Sequence, residues 1–326
     1  MIIFTEKEIR NYVQQNEEVL LAMEEGFSRL QADRVTMPPI LRIDFPENNG
    51  EIDVKSAYVH GVDKFAVKMS TGFFNNASLG LPSGNGMMIL LSTKTGMPQA
   101  VLLDNGYLTH LRTAAAGAVA AKYLAKGQIE TVGVIGTGSQ ARYQIEALQL
   151  VRSFDRLLIY GRNKASLTSY LRDISAIYHG EVIVCETAEE VVVESDLVVT
   201  TTPAEEPVIK AEWLHPGLHI TAMGSDAAHK NEVEASAFRK IDKIVCDSKA
   251  QCFRFGELHH ARRQGIVTND SKVMELGALT AGEKRGRTST DQITICDLTG
   301  TGVQDTMMAV YAYEVLAAEN KIGTYF

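Results

Sequence analysis

The stretch TVGVIGTGSQARYQ, residues 131–144, decides the fold. Val132, Val134 and Ile135 read as a buried strand, after which the chain turns through Gly136-Thr137-Gly138-Ser139-Gln140-Ala141 and leaves as a helix. Gly136 permits the tight turn, Gly138 lets the backbone come close to a pyrophosphate, and Ala141 is small enough for the helix to pack on its strand. The helix would aim unpaired N–H groups and the positive end of its dipole at the phosphates. A G-x-G-x-x-A turn alone is common. Here strand-like runs recur at 131–135, 156–160, 181–184, 197–201, 218–222 and 242–246, with helical segments between several of them. That rhythm predicts an α/β fold, a Rossmann-type doubly wound parallel sheet that binds a dinucleotide. One more strand, 292–296, precedes Asp297-Leu298-Thr299-Gly300-Thr301-Gly302 and a final helix through about residue 319.

The segments before this unit follow a different pattern. Thr5 with Glu8 makes a capping box, and Leu20, Met23, Phe27 and Leu30 fall at helical spacing, which predicts a helix from 5 to about 31. Extended runs at 40–45, 53–59, 65–70, 86–92 and 99–104 are divided by turn residues, notably Asn48-Asn49-Gly50 and Gly96-Met97-Pro98. They predict a separate antiparallel sheet. An alanine-rich helix, 112–126, bridges into the dinucleotide unit.

The 326 residues are 45% hydrophobic and 22% charged, the balance of a soluble globular protein with room for two domains. A net charge of −8 without a Lys/Arg-rich run argues against a nucleic-acid surface. The longest apolar stretch, 113–125, is broken by Lys122 and falls short of the ~20 residues of a membrane span. The N-terminus turns acidic too early for a secretory signal. Cys185, Cys246, Cys252 and Cys296 show no C-x-x-C spacing, so a reduced, cytoplasmic protein without a metal site is expected. His259 and His260 point about 100° apart on a helix and chelate poorly; they read as helix-surface or subunit-contact residues. Arg285-Gly286-Arg287 reads as a loop and Trp213 as a packing residue.

In NAD-selective units the second strand usually ends in an acid that accepts the ribose 2′-OH. Here it ends Ile159-Tyr160-Gly161-Arg162-Asn163. Arg162 could meet a 2′-phosphate, or be an exposed residue at a helix start; NADP or dual use is favoured over strict NAD. Thr200-Thr201-Thr202-Pro203 is polar where the cofactor's ribose should pass.

Three cations sit in apolar contexts: Arg42 in ILRIDF, Lys68 in FAVKMS, and Arg112 at the head of an alanine-rich helix. Together they would suit a carboxylate clamp; singly, each is an ordinary solvated or ion-paired residue. Asp226 lies just past the fifth strand, at the sheet edge where ligands of open α/β folds bind. It could exchange a proton with a substrate nitrogen, or cap a helix near 230–237. Position alone leaves the two readings even.

Six motifs in order, MPPILR (37–42), FAVKMSTG (65–72), LRTAAAGAVAA (111–121), VIGTGSQA (134–141), MGSDAAHKNE (223–232) and CDLTGTGVQD (296–305), resemble the ornithine cyclodeaminase and mu-crystallin family. The resemblance implies a homodimer. Residues 1–115 with 305–326 would form a discontinuous α+β substrate and dimerisation domain, and 116–304 the cofactor domain. It implies that Arg42, Lys68 and Arg112 clamp a substrate carboxylate and that Asp226 is the catalytic acid/base, with Lys68 beside it. Ser83, Arg112, Thr113, Met223, Gly224, Ser225, Lys230, Leu298 and Thr299 match positions lining cofactor or substrate. The segments GLPSGNG (80–86), LLDNGYLT (102–109) and GELHHA (256–261) are similar to a narrower branch, the ectoine-utilisation cyclodeaminase-like proteins and iminosuccinate reductases. His229, Met69-Ser70-Thr71 and Leu298 depart from the cyclodeaminase pattern. The implied activity is NAD(P)H-dependent reduction of a small 2-imino acid, iminosuccinate to aspartate, with Lys55, Ser70 or His229 available to a second carboxylate. The alternatives are ornithine cyclodeaminase, alanine dehydrogenase or ketimine reductase, and a mu-crystallin-like binding protein.

Overall fold

The computed structural model describes residues 1–319 and 322–325. The chain divides into two units, Met1–Arg112 with Thr301–Phe326, and Thr113–Gly300.

In the first unit the strands are β1 (Ile2–Thr5), β2 (Val35–Thr36), β3 (Leu41–Phe45), β4 (Gly50–Val59), β5 (Lys64–Phe73), β6 (Gly84–Ser92) and β7 (Pro98–Leu103). The sheet runs Thr324–Tyr325, β1, β7, β6, β5, β4, β2, with β3 also paired to β4. Antiparallel pairing holds from β3 through β7 as the sequence suggests. At the edge it fails, because β1 lies parallel to β7. The helix expected from 5 to 31 is two helices, Glu6–Tyr12 and Glu17–Gln31. Val13 leaves the first in an extended conformation, and the Asn16 side chain caps the second by accepting from Val19 N at 2.9 Å. The Thr5/Glu8 capping box does form.

Register assigns the two faces of this sheet. Lys55, Lys68, Met88 and Leu102 make one cross-strand row, and Ala57, Ala66, Leu90 and Ala100 the next, all buried. The helices Glu17–Gln31 and Gly302–Ala318 pack on one another, and Gly302–Ala318 covers β4 and β5. Gly302 sits where a Cβ would lie 2.5 Å from Ser56 O, so only glycine lets the helix start that close. The opposite face is apolar too, with Leu41, Ile43, Met87 and Leu103 exposed.

The second unit holds β8 (Thr131–Ile135), β9 (Arg156–Tyr160), β10 (Glu181–Val184), β11 (Leu197–Thr200), β12 (His219–Ala222), β13 (Lys243–Cys246), β14 (Val273–Glu275) and β15 (Thr294–Asp297). Their order is β10-β9-β8-β11-β12-β15-β13-β14, parallel throughout. The order reverses between β8 and β11, the switch point where the carboxyl ends of strands open toward a ligand. β14 is absent from the sequence reading; three residues are too few to show a period. Arg285-Gly286-Arg287 is a loop, and a structural one. The Arg287 guanidinium donates to the carbonyls of Leu124 at 2.7 Å and Leu218 at 3.1 Å, and to Thr294 Oγ1 at 3.0 Å, tying three segments together. Among the described residues no helix is long and apolar enough to cross a membrane.

Candidate cofactor and substrate sites

The glycine turn after β8 opens on a cavity of about 330 Å³. Gly136, Thr137, Gly138, Gly161, Arg162, Asn163, Thr201, Thr202 and Pro203 line it. Gly136 has φ +113°, and a Cβ there would lie 2.7 Å from Thr201 Oγ1. At Gly138 a Cβ would meet nothing within 4 Å, so that backbone is open to a close-approaching group. Gly138 is also the N-cap of the helix Ser139–Leu148 and supplies no side-chain cap. The helix's first-turn N–H groups therefore face the turn without a competing side-chain acceptor. Gln140 lies in that first turn, and Ala141 is fully buried in the core behind it. Thr201 Oγ1 is buried without a hydrogen-bond partner. These features fit a dinucleotide, with phosphates at Gly136–Gly138 and a ribose beside Arg162. Arg162 is exposed at the cavity wall, while Asn163 caps the helix Lys164–Ile174 by accepting from Ser166 N at 2.9 Å.

Asp226 stands on the loop after β12. No helix follows it: residues 223–234 are loop and an isolated bridge, and the next helical turn is the 3-10 segment Ala235–Arg239. The capping reading thus has no helix to cap. Asp226 Oδ1 accepts from Lys230 Nζ at 2.5 Å, with the Asp226 side chain 51% exposed. Ser225 is buried, its hydroxyl donating to Lys230 O at 2.6 Å; Met223 and Gly224 precede it. Leu298 and Thr299, after β15, are buried. The Thr299 hydroxyl donates to Asp247 Oδ1 at 3.1 Å and accepts from Gln251 Nε2 at 2.9 Å, so it ties the loop after β15 to the segment after β13. Thr113 gives its carbonyl to Gln144 Nε2 at 3.1 Å. His260 lies within 2.8 Å of Lys230 O through Nε2, and His259 within 3.2 Å of Phe253 O through Nδ1. Among the described residues no His/Cys/Asp/Glu cluster could hold a metal ion, and all four cysteines are buried and free.

The first unit brings Lys68 and Arg112 together around an acid the sequence reading passed over. Asp305, in the first turn of Gly302–Ala318, lies 3.1 Å from Lys68 Nζ and 3.0 Å from Arg112 Nε, and all three side chains are buried. Lys55 is directly opposite Lys68 and buried as well. Burial pushes Lys68 down to about 7, with Asp305 opposing and Arg112 and Lys55 adding to the fall. Burial also raises Asp104 to about 6, against backbone donors that include Leu108 N. Asp305 itself stays below the ordinary carboxylate range: burial opposes this, and Arg112 and Lys68 outweigh it. Arg42 is held differently. It faces Asp53 across β3 and β4, one row along the same face, and its guanidinium pairs with Asp44 at 2.9 Å, with Glu51, and with Asp53 at 3.8 Å. Arg42 thus has carboxylate partners of its own, and Lys68 and Arg112 share Asp305. Ser83 is exposed in the loop before β6, its carbonyl accepting from Phe73 N at 2.7 Å.

Residues 2–320 match the model of the "Ornithine cyclodeaminase/mu-crystallin family". The chain is 46% identical to the uncharacterized cyclodeaminase y4tK of Sinorhizobium fredii, over 100% of this chain and 98% of that one. It is 31% identical to the iminosuccinate reductase of Paracoccus denitrificans, covering 97% of this chain and 96% of the relative. Among solved structures, Δ1-pyrroline-2-carboxylate reductase of Thermococcus litoralis, in complex with NADH and L-proline, superposes with a TM-score of 0.94 at 29% identity, covering 100% of both chains. An archaeal alanine dehydrogenase dimer with bound NAD gives 0.91 at 33% identity, over 100% of this chain and 99% of that one. Sequence, fold and glycine cradle agree, and the chain belongs to the ornithine cyclodeaminase/mu-crystallin family.

Proposed function

We propose that this protein is an NAD(P)H-dependent reductase of a small 2-imino acid, with iminosuccinate, giving aspartate, as the first substrate to test. Membership of the oxidoreductases acting on a carbon–nitrogen bond rests on the family and its reductase relatives. The observation that carries the substrate class is the buried cation cluster. Lys55, Lys68 and Arg112 stand around Asp305, with Asp104 drawn toward its neutral form. A site so weighted favours an anion, and a carboxylate bound there would return Lys68 to its charged state. Three cations leave capacity for a second carboxylate, which favours the four-carbon dicarboxylate over the imine of pyruvate.

A bound nicotinamide supplies the hydride. The chain's own residues do the rest. Lys68 and Arg112 hold the 1-carboxylate and so orient the imine carbon. Asp226, exposed and accepting from the Lys230 ammonium, would pass a proton from that pair to the nitrogen, which makes the imine carbon a better acceptor. Arg162, without an acid after β9, favours NADPH or dual use over strict NADH. The apolar outer face of the first unit's sheet suits a second copy of the chain, giving a homodimer.

Purified protein should consume NAD(P)H with oxaloacetate plus ammonia and leave it untouched with oxaloacetate alone. Asp226→Ala should lower kcat by about 100-fold with little change in cofactor affinity. Equal losses in both would remove Asp226 from the proton path. The likeness to an alanine dehydrogenase favours pyruvate plus ammonia as the second substrate to test, and activity confined to it would replace the dicarboxylate reading.

A further inference from the structure

Glu232, the last residue of the MGSDAAHKNE motif, has no role in the chemistry above, yet its carboxylate is fully buried and saturated. Thr202 N and Thr202 Oγ1 donate to Oε1 at 2.5 and 2.7 Å, and Thr200 Oγ1 and Gly224 N donate to Oε2, both at 2.7 Å. The donors come from two loops. One follows β11 and lines the cofactor cavity through Thr201 and Pro203; the other follows β12 and carries Asp226 two residues past Gly224. The loops meet backbone to backbone, for a Cβ on Gly224 would lie 2.1 Å from Thr202 O.

Glu232 is itself anchored. Its N–H and that of Val233 donate to the two carboxylate oxygens of Glu257, each at 2.9 Å. Glu257 opens the helix Glu257–Arg263, whose His260 lies against Lys230 O one turn later. An amide could not replace the carboxylate. Glutamine offers one acceptor oxygen, so its NH₂ would face either Thr202 N–H or Gly224 N–H and leave a backbone donor unsatisfied.

We infer that Glu232 is a positioning residue that locks the cofactor-cavity loop to the Asp226 loop, making dinucleotide affinity and proton delivery depend on one buried carboxylate. The proton-delivery half rests on the reductase reading; the affinity half does not. Glu232→Gln should raise the Kd for NADH about tenfold or more, read by nicotinamide fluorescence, and lower kcat with oxaloacetate plus ammonia by at least as much. Glu232→Asp, which keeps the charge on a shorter arm, should recover part of the affinity. A folded Glu232→Gln protein with unchanged Kd overturns the inference, whatever its melting temperature, and so does a Glu232→Asp variant no better than Gln. Should Glu232→Gln fail to fold, Thr202→Val, which removes one donor and leaves the carboxylate, should raise Kd about threefold or more. An unchanged Kd there overturns it equally. If the parent protein binds NADH but reduces no imine, the Kd comparison still decides this point while the reductase reading falls.

Discussion

Asp305→Asn isolates the electrostatics of the buried cation cluster. Asp305 lies 3.1 Å from Lys68 Nζ and is the main influence keeping that amine from falling further than about 7. At an effective dielectric of about 20, a unit charge pair at that separation is worth roughly 5 kcal/mol, between three and four pKa units. Relaxation takes back part, so we expect Lys68 to drop by about two units or more in the variant. The sign follows. Lysine binds a carboxylate only when protonated, so in the parent kcat/KM should fall as pH rises through about 7. In the variant the same limb should sit near 5 or below, lowering kcat/KM by about 50-fold or more at pH 7. The assay is steady-state imine reduction across pH, expressed as the ratio of variant to parent, which cancels the pH dependence of imine formation. Stability should fall as well, by about 3–5 kcal/mol if both cations stay charged and by less as Lys68 releases its proton. Lys68→Met with Asp305→Asn should restore much of the stability and none of the activity. Identical positions of the limb in parent and variant, or a loss carried by kcat with KM unchanged, would refute the reasoning.

Other perturbations test the remaining parts. Gly136→Ala places a methyl 2.7 Å from Thr201 Oγ1 at φ +113°, a strain of about 1–3 kcal/mol at the turn that should abolish detectable dinucleotide binding by calorimetry. Retained affinity would move the phosphates elsewhere. Arg162→Ala should raise the KM for NADPH about tenfold and that for NADH less than about twofold; matching changes would sink the 2′-phosphate role. Ile43→Lys with Met87→Lys puts two charges on the exposed apolar face of the first unit's sheet; on the homodimer proposal, sedimentation velocity should show the parent as a dimer and the variant as a monomer. An unaltered dimer would assign the interface to another surface.

Much of the fold is legible because its signals are local. The run at 131–144 shows strand, turn and helix within one short window, and the extended segments up to residue 104, divided by turn residues, survive as β3 to β7. What escaped was set by partners far away. β1 is four residues long and pairs parallel with β7, a relation without a local mark. The break at Val13–Asn16 needed the Asn16 cap to be distinguished from an ordinary helix-surface asparagine. The site divides the same way. Lys68 and Arg112 stand out as charges in apolar surroundings, and their common partner Asp305 carries a similar signal: the one acid in the first turn of a mostly apolar helix.

The loop carrying Asp226 shows why the remainder was beyond local reading. Residues 231–239, NEVEASAFR, have the composition of a helix, and a helix there would make Asp226 a plausible cap. In the structure their backbone groups are taken by distant segments before a helix can form. Asn231 N donates to Ala204 O at 2.7 Å, and Glu232 O accepts from Val208 N and Ile209 N at 2.8 and 2.9 Å. The N–H groups of Glu232 and Val233 go to Glu257. The Glu232 carbonyl is one an α-helix would need, and the N–H groups of 231–233 are the first-turn donors a capping side chain would take; propensity differences of a few tenths of a kcal/mol per residue cannot compete with such buried bonds. Residues 231–234 stay out of a helix because Glu257 and the loop after β11 claim them, and only the 3-10 turn Ala235–Arg239 follows. The same claim leaves Asp226 without a helix to cap, its carboxylate held by Lys230 instead.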